Sequence, residues 1–211
     1  MTRAPVPGSR GVSARYESSP DATARATAAA LARVGGAASL VLVEGVSDQI
    51  AVETAAAGTG RDLRAEGVVV VPIGGAHAAA RVLAGLHTKR SDVPIAALCD
   101  APEAEVLRRG AIDTGVDLRL FVCVEDLEDE LIRAVGASEA ERVLETEGDL
   151  ARFRTLQAQP AWRGHPLEAQ LRRFLGSGAR RKLRYAEALT ATAVANGCLP
   201  APLAALLAVT H

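Results

Sequence analysis

The chain predicts an α/β fold, a parallel sheet of about four strands flanked by helices and continued by a C-terminal helical extension. Two observations predict it. Four short apolar runs, residues 39–43, 67–72, 94–99 and 117–122, alternate with helix-like segments. Strands that are apolar without a polar alternation belong to sheets covered on both faces. After Val124 the alternation stops and only helical patterns follow.

Taken in order, the Ala-rich residues 21–34 read as a helix, and Gly35-Gly36 ends it before the first strand. Helices at 47–57, 76–86 and 104–109 then separate the four strands in a βαβαβαβ pattern. Five helices follow, at 126–135, 138–147, 149–157, 166–175 and 180–195, and Ser138 with Glu141 has the form of a capping box. The expected organisation is a disordered leader at 1–20, an α/β domain at 21–135, and a helical extension at 136–211 packed on it.

Hydrophobic residues make up 49% of the chain, enough for a real core, whereas aromatics are only 3%, so that core is built from Val, Leu, Ile and Ala. A formal net charge of −1 excludes a chain that holds nucleic acid by bulk charge; any such contact needs a local patch. The charges are unevenly placed. Residues 125–149 hold ten acids opposed by Arg133 and Arg142, and residues 163–184 hold seven bases against Glu168. Cys99, Cys123 and Cys198 form no CxxC pair, which argues for buried thiols in a reducing cytoplasm and against a zinc knuckle. No apolar stretch reaches the roughly 18 residues of a membrane span, and the leader lacks the apolar core of a signal peptide.

In a parallel sheet, ligands bind at the carboxyl ends of the strands. Here acids stand at those ends. Glu44 follows the first strand with Asp48 one helical turn on, Asp100 follows the third with Glu103 beyond it, and Glu125-Asp126-Leu127-Glu128-Asp129 follows the fourth. Converging carboxylates repel one another unless a cation neutralises them, and Mg²⁺ or Mn²⁺ takes such hard oxygen ligands. Asp48, Asp126 and Asp129 also have a plainer use at helix starts, where acids cap and favour the dipole. That use explains Glu44 and Asp100 less well.

The order strand, Glu44-Gly45-x-Ser47-Asp48, then Pro72-Ile73-Gly74-Gly75, then Asp100 resembles the TOPRIM domain. It is most similar to the version in nucleases of the OLD (overcoming lysogenization defect) family. The resemblance spans about residues 39–131. It implies Mg²⁺ or Mn²⁺ held by Glu44, Asp48, Asp100 and Glu128, with Glu44 also as acid/base, and phosphodiester hydrolysis on nucleic acid, DNA ahead of RNA. The segment from Gly178 to Tyr185 resembles that family's late basic motif, which implies a phosphate-contacting, charge-stabilising role for Lys182. Lys89 and Lys182 are the only lysines in a chain that otherwise uses Arg.

One departure stands out, because TOPRIM domains usually carry Asp-x-Asp where this chain has Asp100-Ala101-Pro102-Glu103. Pro102 cannot bind a metal, so Glu103 is the expected substitute ligand. Gly74 and Gly75 before a helix suit a phosphate, or simply a tight strand-to-helix turn. His77 is read as a helix residue, with phosphate contact as its other use. The bases Arg172, Arg173, Arg180, Arg181, Lys182 and Arg184 fit either a solvated helix face or a phosphate track. Trp162 and Phe174 are read as core packing, with base stacking as their other use. No GxxxxGK[ST] loop occurs in the chain, so any ATP dependence of the kind that OLD nucleases commonly have would have to come from a separate ATPase partner chain. Two further functions stay open: another TOPRIM phosphoryl or nucleotidyl transfer, and a non-catalytic nucleic-acid-binding module with a degenerate metal site.

Overall fold

A computed structural model describes residues 11–16, 21–89 and 93–210, apart from the side chains at 76, 77, 80 and 87–89. Its centre is the predicted parallel sheet. The strands are β1 (Ser39–Val43), β2 (Val68–Pro72), β3 (Ile95–Asp100) and β4 (Leu118–Cys123), in the order β2-β1-β3-β4. All three pairings are parallel. The chain leaves β1 toward one side for β2, then returns past β1 to lay down β3. The crevice between the carboxyl ends of β1 and β3 is therefore the topological switch point, where ligands of open parallel sheets bind.

Period-two alternation sends each strand's side chains to two separate cores. Val41, Val43, Val70 and Leu98 pack under α2 (Val46–Gly58), α5 (Leu127–Val135), α8 (Leu167–Leu175), α9 (Ala179–Ala195) and α10 (Ala201–Val209). Leu40, Leu42, Val71 and Ala97 pack under α1 (Ala22–Leu31), α3 (Ala76–Lys89) and α4 (Ala101–Thr114). Each fully buried Leu or Val contributes about 1.5–3 kcal/mol, so both faces need their helices. The later helices share the first core, with Leu171, Phe174, Tyr185 and Leu203 all buried in it.

Two sequence expectations are corrected locally. Helix α6 (Ala137–Thr146) begins after Gly136 with no side-chain cap. The positive φ of Gly136, 83°, lets the chain turn directly from α5 into α6, which places Ser138 inside the helix. Glu141 instead pairs with Arg154 of α7 (Leu150–Ala158) at 2.6 Å. Of the expected leader, residues 1–10 and 17–20 lie outside the described residues, but Val12–Arg15 forms a 3₁₀ turn. The amides of Val12 and Ser13 donate to the Glu187 carboxylate at 2.6 and 3.0 Å, and the Tyr16 hydroxyl donates to Glu53 at 2.7 Å. Val12 and Tyr16 pack on Val46, Ile50 and Ala186, across the seam between α2 and α9. These bonds hold the turn in place. Helix α10, absent from the five helices read from the sequence after Val124, lies on the sheet through Leu203, Leu206 and Leu207.

Candidate metal centre

The switch-point crevice gathers acids from four elements. Glu44 is the first residue after β1, and Asp48 lies in the first turn of α2, where its carboxylate accepts a hydrogen bond from the Gly45 amide at 2.8 Å. Asp100 ends β3 and stands at the N-cap of α4 in extended conformation, yet its side chain makes no capping bond. Its register partner on β4 is Cys123, which faces the core under α2, α5 and α9. Asp100 therefore lies on the same side of the sheet as those helices. Glu128 enters from the first turn of α5, only 9% exposed, and Lys182 enters from the first turn of α9 with its Nζ 3.1 Å from Glu128 Oε1.

These groups act on one another. Burial pushes Asp48 up to about 7, and the negative charges of Glu128 and Glu44 add to the rise against the pull of Lys182 and the Gly45 amide. Burial pushes Asp100 up to about 8, followed by Glu44, Asp48, Asp126 and Glu128. Burial also raises Glu128, with Lys182 opposing and Asp126 adding to it. Burial alone would lower Lys182, but Glu128, Asp48 and Glu44 outweigh that cost and hold its ammonium charged. A surplus of negative charge in a half-buried cleft is the arrangement that a divalent cation relieves.

The donor set is all oxygen and fits a hard cation such as Mg²⁺ or Mn²⁺. Its present geometry does not yet form a cage. Among the described residues, no group of three or more His, Cys, Asp or Glu side chains is placed to hold an ion. Asp48 is turned to Gly45, and Glu128 to Lys182. Glu103 sits in the first turn of α4, and its charge falls on the Cys99 thiol, which points into the opposite core. The charges of Asp100 and Glu44 act on the same thiol.

Asp126, read from the sequence as a strand-end acid with helix capping as its plainer use, does cap and does more. It accepts from the Asp129 amide at 2.7 Å as the cap of α5, and its other oxygen accepts from Arg172 Nε at 2.7 Å. Arg172 also reaches Glu125 at 3.4 Å. An Asp immediately before the Glu128 turn was the available signal; its reach to α8 was not. Asp129 takes the plainer role, pairing with Arg133 at 2.8 Å along the helix.

Beside the crevice, the Gly74 amide donates to the Glu44 carbonyl at 2.9 Å, lacing the turn after β2 to the turn after β1. Gly74 and Gly75 have φ of 77° and 94°, values an L side chain rarely adopts, so both glycines are required by the turn. The His77 side chain lies outside the described residues. The basic run divides. Arg173 and Arg180 are exposed, whereas Arg181 and Arg184, partly exposed, both pair with the buried Asp149. Arg181 also lies over the Phe174 ring at 4.1 Å, and Phe174 meets Phe153 edge-on within the core.

Residues 37–101 match the family described as overcoming lysogenization defect protein-like, TOPRIM domain. The solved C-terminal region of the Xanthomonas campestris pv. campestris OLD protein matches with a TM-score of 0.57 at 24% identity, covering 82% of this chain and 93% of that one. The C-terminal region of the Burkholderia pseudomallei OLD protein gives a TM-score of 0.57 at 21% identity, covering 83% and 99%. No curated protein matches. Residues 37–101 thus carry the sequence pattern of an OLD-like TOPRIM domain, and the chain shares the fold of OLD C-terminal regions.

Proposed function

We propose that this chain is a Mg²⁺- or Mn²⁺-dependent nuclease module that hydrolyses phosphodiester bonds of DNA at the crevice between β1 and β3. The observation that carries the reading is the mutual charge of Glu44, Asp48, Asp100 and Glu128, brought from four elements to a topological switch point beside a single charged lysine. The OLD-like TOPRIM match over residues 37–101 supports it.

Those four carboxylates would hold the cation once Asp48 and Glu128 turn from Gly45 and Lys182. Glu103, on α4, is the remaining acid of that strand end. A bound divalent cation supplies polarisation of the phosphate and activation of water. The chain's own groups do the rest. Lys182 keeps its ammonium charged and, freed from Glu128, faces the developing charge on the phosphoryl oxygens. Gly74 and Gly75, without side chains, allow a phosphate backbone close to the start of α3. Arg180, exposed on the first turn of α9, offers a screened contact to a phosphate outside the crevice.

Calorimetric titration of Mn²⁺ together with plasmid nicking tests this. Wild type should bind the ion and nick; Glu44→Ala and Asp100→Ala should fold normally and lose metal-dependent nicking by at least about 100-fold. Nicking retained in the purified variants sinks the assignment. The pairing of Glu128 with Lys182 at 3.1 Å favours a second reading, a non-catalytic nucleic-acid-binding module in which the lysine replaces the ion. Binding that persists in EDTA, with no turnover under any divalent ion, would select it.

A further inference from the structure

We propose that the loop between α7 and α8, residues 159–166, is a platform on which the bases of single-stranded nucleic acid stack. The inference rests on the nucleic-acid reading above and deepens it by naming the form of the substrate.

Trp162 is the chain's only tryptophan, and it stands partly exposed on this loop with its ring 5.2 Å from His165 at an interplanar angle of 49°. Arg163 lies exposed between them in sequence, its guanidinium donating to the Ala158 carbonyl at 3.1 Å, and no acid occurs from Ala158 to Leu167. Two aromatic faces with a basic neighbour in the same loop form a surface suited to a nucleobase, since every base has a π-face and stacking on aromatics tolerates any sequence.

The loop's shape is secured without those rings. The Trp162 and Arg163 amides both donate to the Gln159 carbonyl at 2.9 Å, and the His165 amide donates to the Trp162 carbonyl at 3.2 Å. Gln170, 6% exposed, donates from Nε2 to the Trp162 carbonyl at 2.8 Å and accepts from Gln157 at 2.7 Å. The buried Gln170, held by the half-buried Gln157, thus fixes the backbone under an indole that is only partly covered. Ordering the loop in advance removes much of the entropic cost of binding.

Placement relates the loop to the crevice. Helix α8 starts at its end, and Arg172 on the same helix bonds to Asp126 beside the carboxylates. From Pro166 to Arg172 the helix advances about 9 Å, on the order of three nucleotides of a stacked strand at about 3.4 Å each. Glu168 is the single acid along that helix. Unpaired bases can reach ring faces that a duplex keeps stacked inside, which selects a single strand over a double one. A protein partner would need apolar neighbours around the indole. The exposed large hydrophobics among the described residues, Val106, Ile112 and Val124, lie elsewhere, on α4 and just after β4.

The test is done in EDTA, so that cleavage plays no part. Wild-type protein is titrated with a short unlabelled oligothymidylate while its intrinsic fluorescence, which reports Trp162 alone among tryptophans, is followed. In parallel, anisotropy of a labelled oligothymidylate gives Kd for wild type, Trp162→Ala and Trp162→Phe, with circular dichroism confirming that each is folded. Quenching on single strands but not on the matched duplex is expected. Trp162→Ala should weaken Kd by about 5- to 150-fold, and Trp162→Phe should restore most of it. If anisotropy shows binding while the fluorescence stays unchanged and Trp162→Ala binds like wild type, the platform is refuted and the nucleic-acid reading survives. If no oligonucleotide, single or double, binds at low salt, the nucleic-acid reading itself falls. A fluorescence change that depends on protein concentration alone would overturn the platform in favour of an interface between copies.

Discussion

Asp100 and Lys182 define the crevice at the scale of single residues. Asp100 occupies a helix N-cap yet leaves the cap unmade, and its proton is held up to about 8 by burial and by Glu44, Asp48, Asp126 and Glu128. Lys182 is the positive charge that these acids share. The two residues should therefore fail in different ways. Removing Asp100 takes away a donor, so ion binding goes. Lys182→Ala removes the competitor for Glu128 instead. Titration calorimetry should find Mn²⁺ bound as tightly as in wild type or more so, while nicking falls by about 100- to 1,000-fold. Loss of ion binding in Lys182→Ala would show that the lysine organises the cage and does not act on the phosphate.

Helix α9 shows how one element serves two purposes. Lys182 on one side enters the crevice, while Arg181 and Arg184 reach Asp149, which is 2% exposed and also receives Arg152 and the Tyr185 hydroxyl. Burial would raise Asp149, but the Arg152 bond, Arg184, Tyr185 and Arg181 together hold it below the ordinary carboxylate range. The released arginines can still reach water, so Asp149→Ala should cost about 1.5–3 kcal/mol, the range for hydrogen bonds to a charged group, and less than a fully buried pair. Urea unfolding measures it; an unchanged midpoint would mean that the pairs are solvent-balanced. This division was not legible in the sequence, where Arg180 to Arg184 form one basic run, because a run on a helix spreads around the axis and only the neighbours decide each face. The strands were legible to within a residue, since apolar runs of that length between helices have few other uses. Helix α10 was missed because Ala and Leu fill it almost entirely, leaving no polar stripe to set a helical period. Of the site, the acids at the strand ends could be read from position alone. The reach of Arg172 to Asp126 depends on packing across the chain.

The whole molecule carries the unrelieved charge as a dependence on pH. Asp side chains in the unfolded chain titrate near about 3.9, whereas Asp48 and Asp100 are raised to about 7 and about 8 in the fold. Between those values the folded chain holds more protons than the unfolded one. Its ion-free stability is therefore greatest below about pH 4 as far as these groups are concerned, and falls as pH rises to about 8. The raised Lys182 does not oppose this, because its contribution is lost only at more alkaline pH. Melting in EDTA should give a Tm that declines across about pH 5 to 8, less steeply in Asp48→Asn, with Mn²⁺ restoring most at the alkaline end. A flat Tm that ignores Mn²⁺ would contradict the shared charge. The same feature bears on how the chain becomes folded. The acids of the crevice come from residues 44 to 128, but their lysine lies at 182, on a helix that must close a long loop to return. Without α9 the acids of the cleft would have no lysine to offset their repulsion, and the helix that brings Lys182 also fills part of the first core. Docking of α9 thus supplies the one lysine of the crevice and part of the first core together.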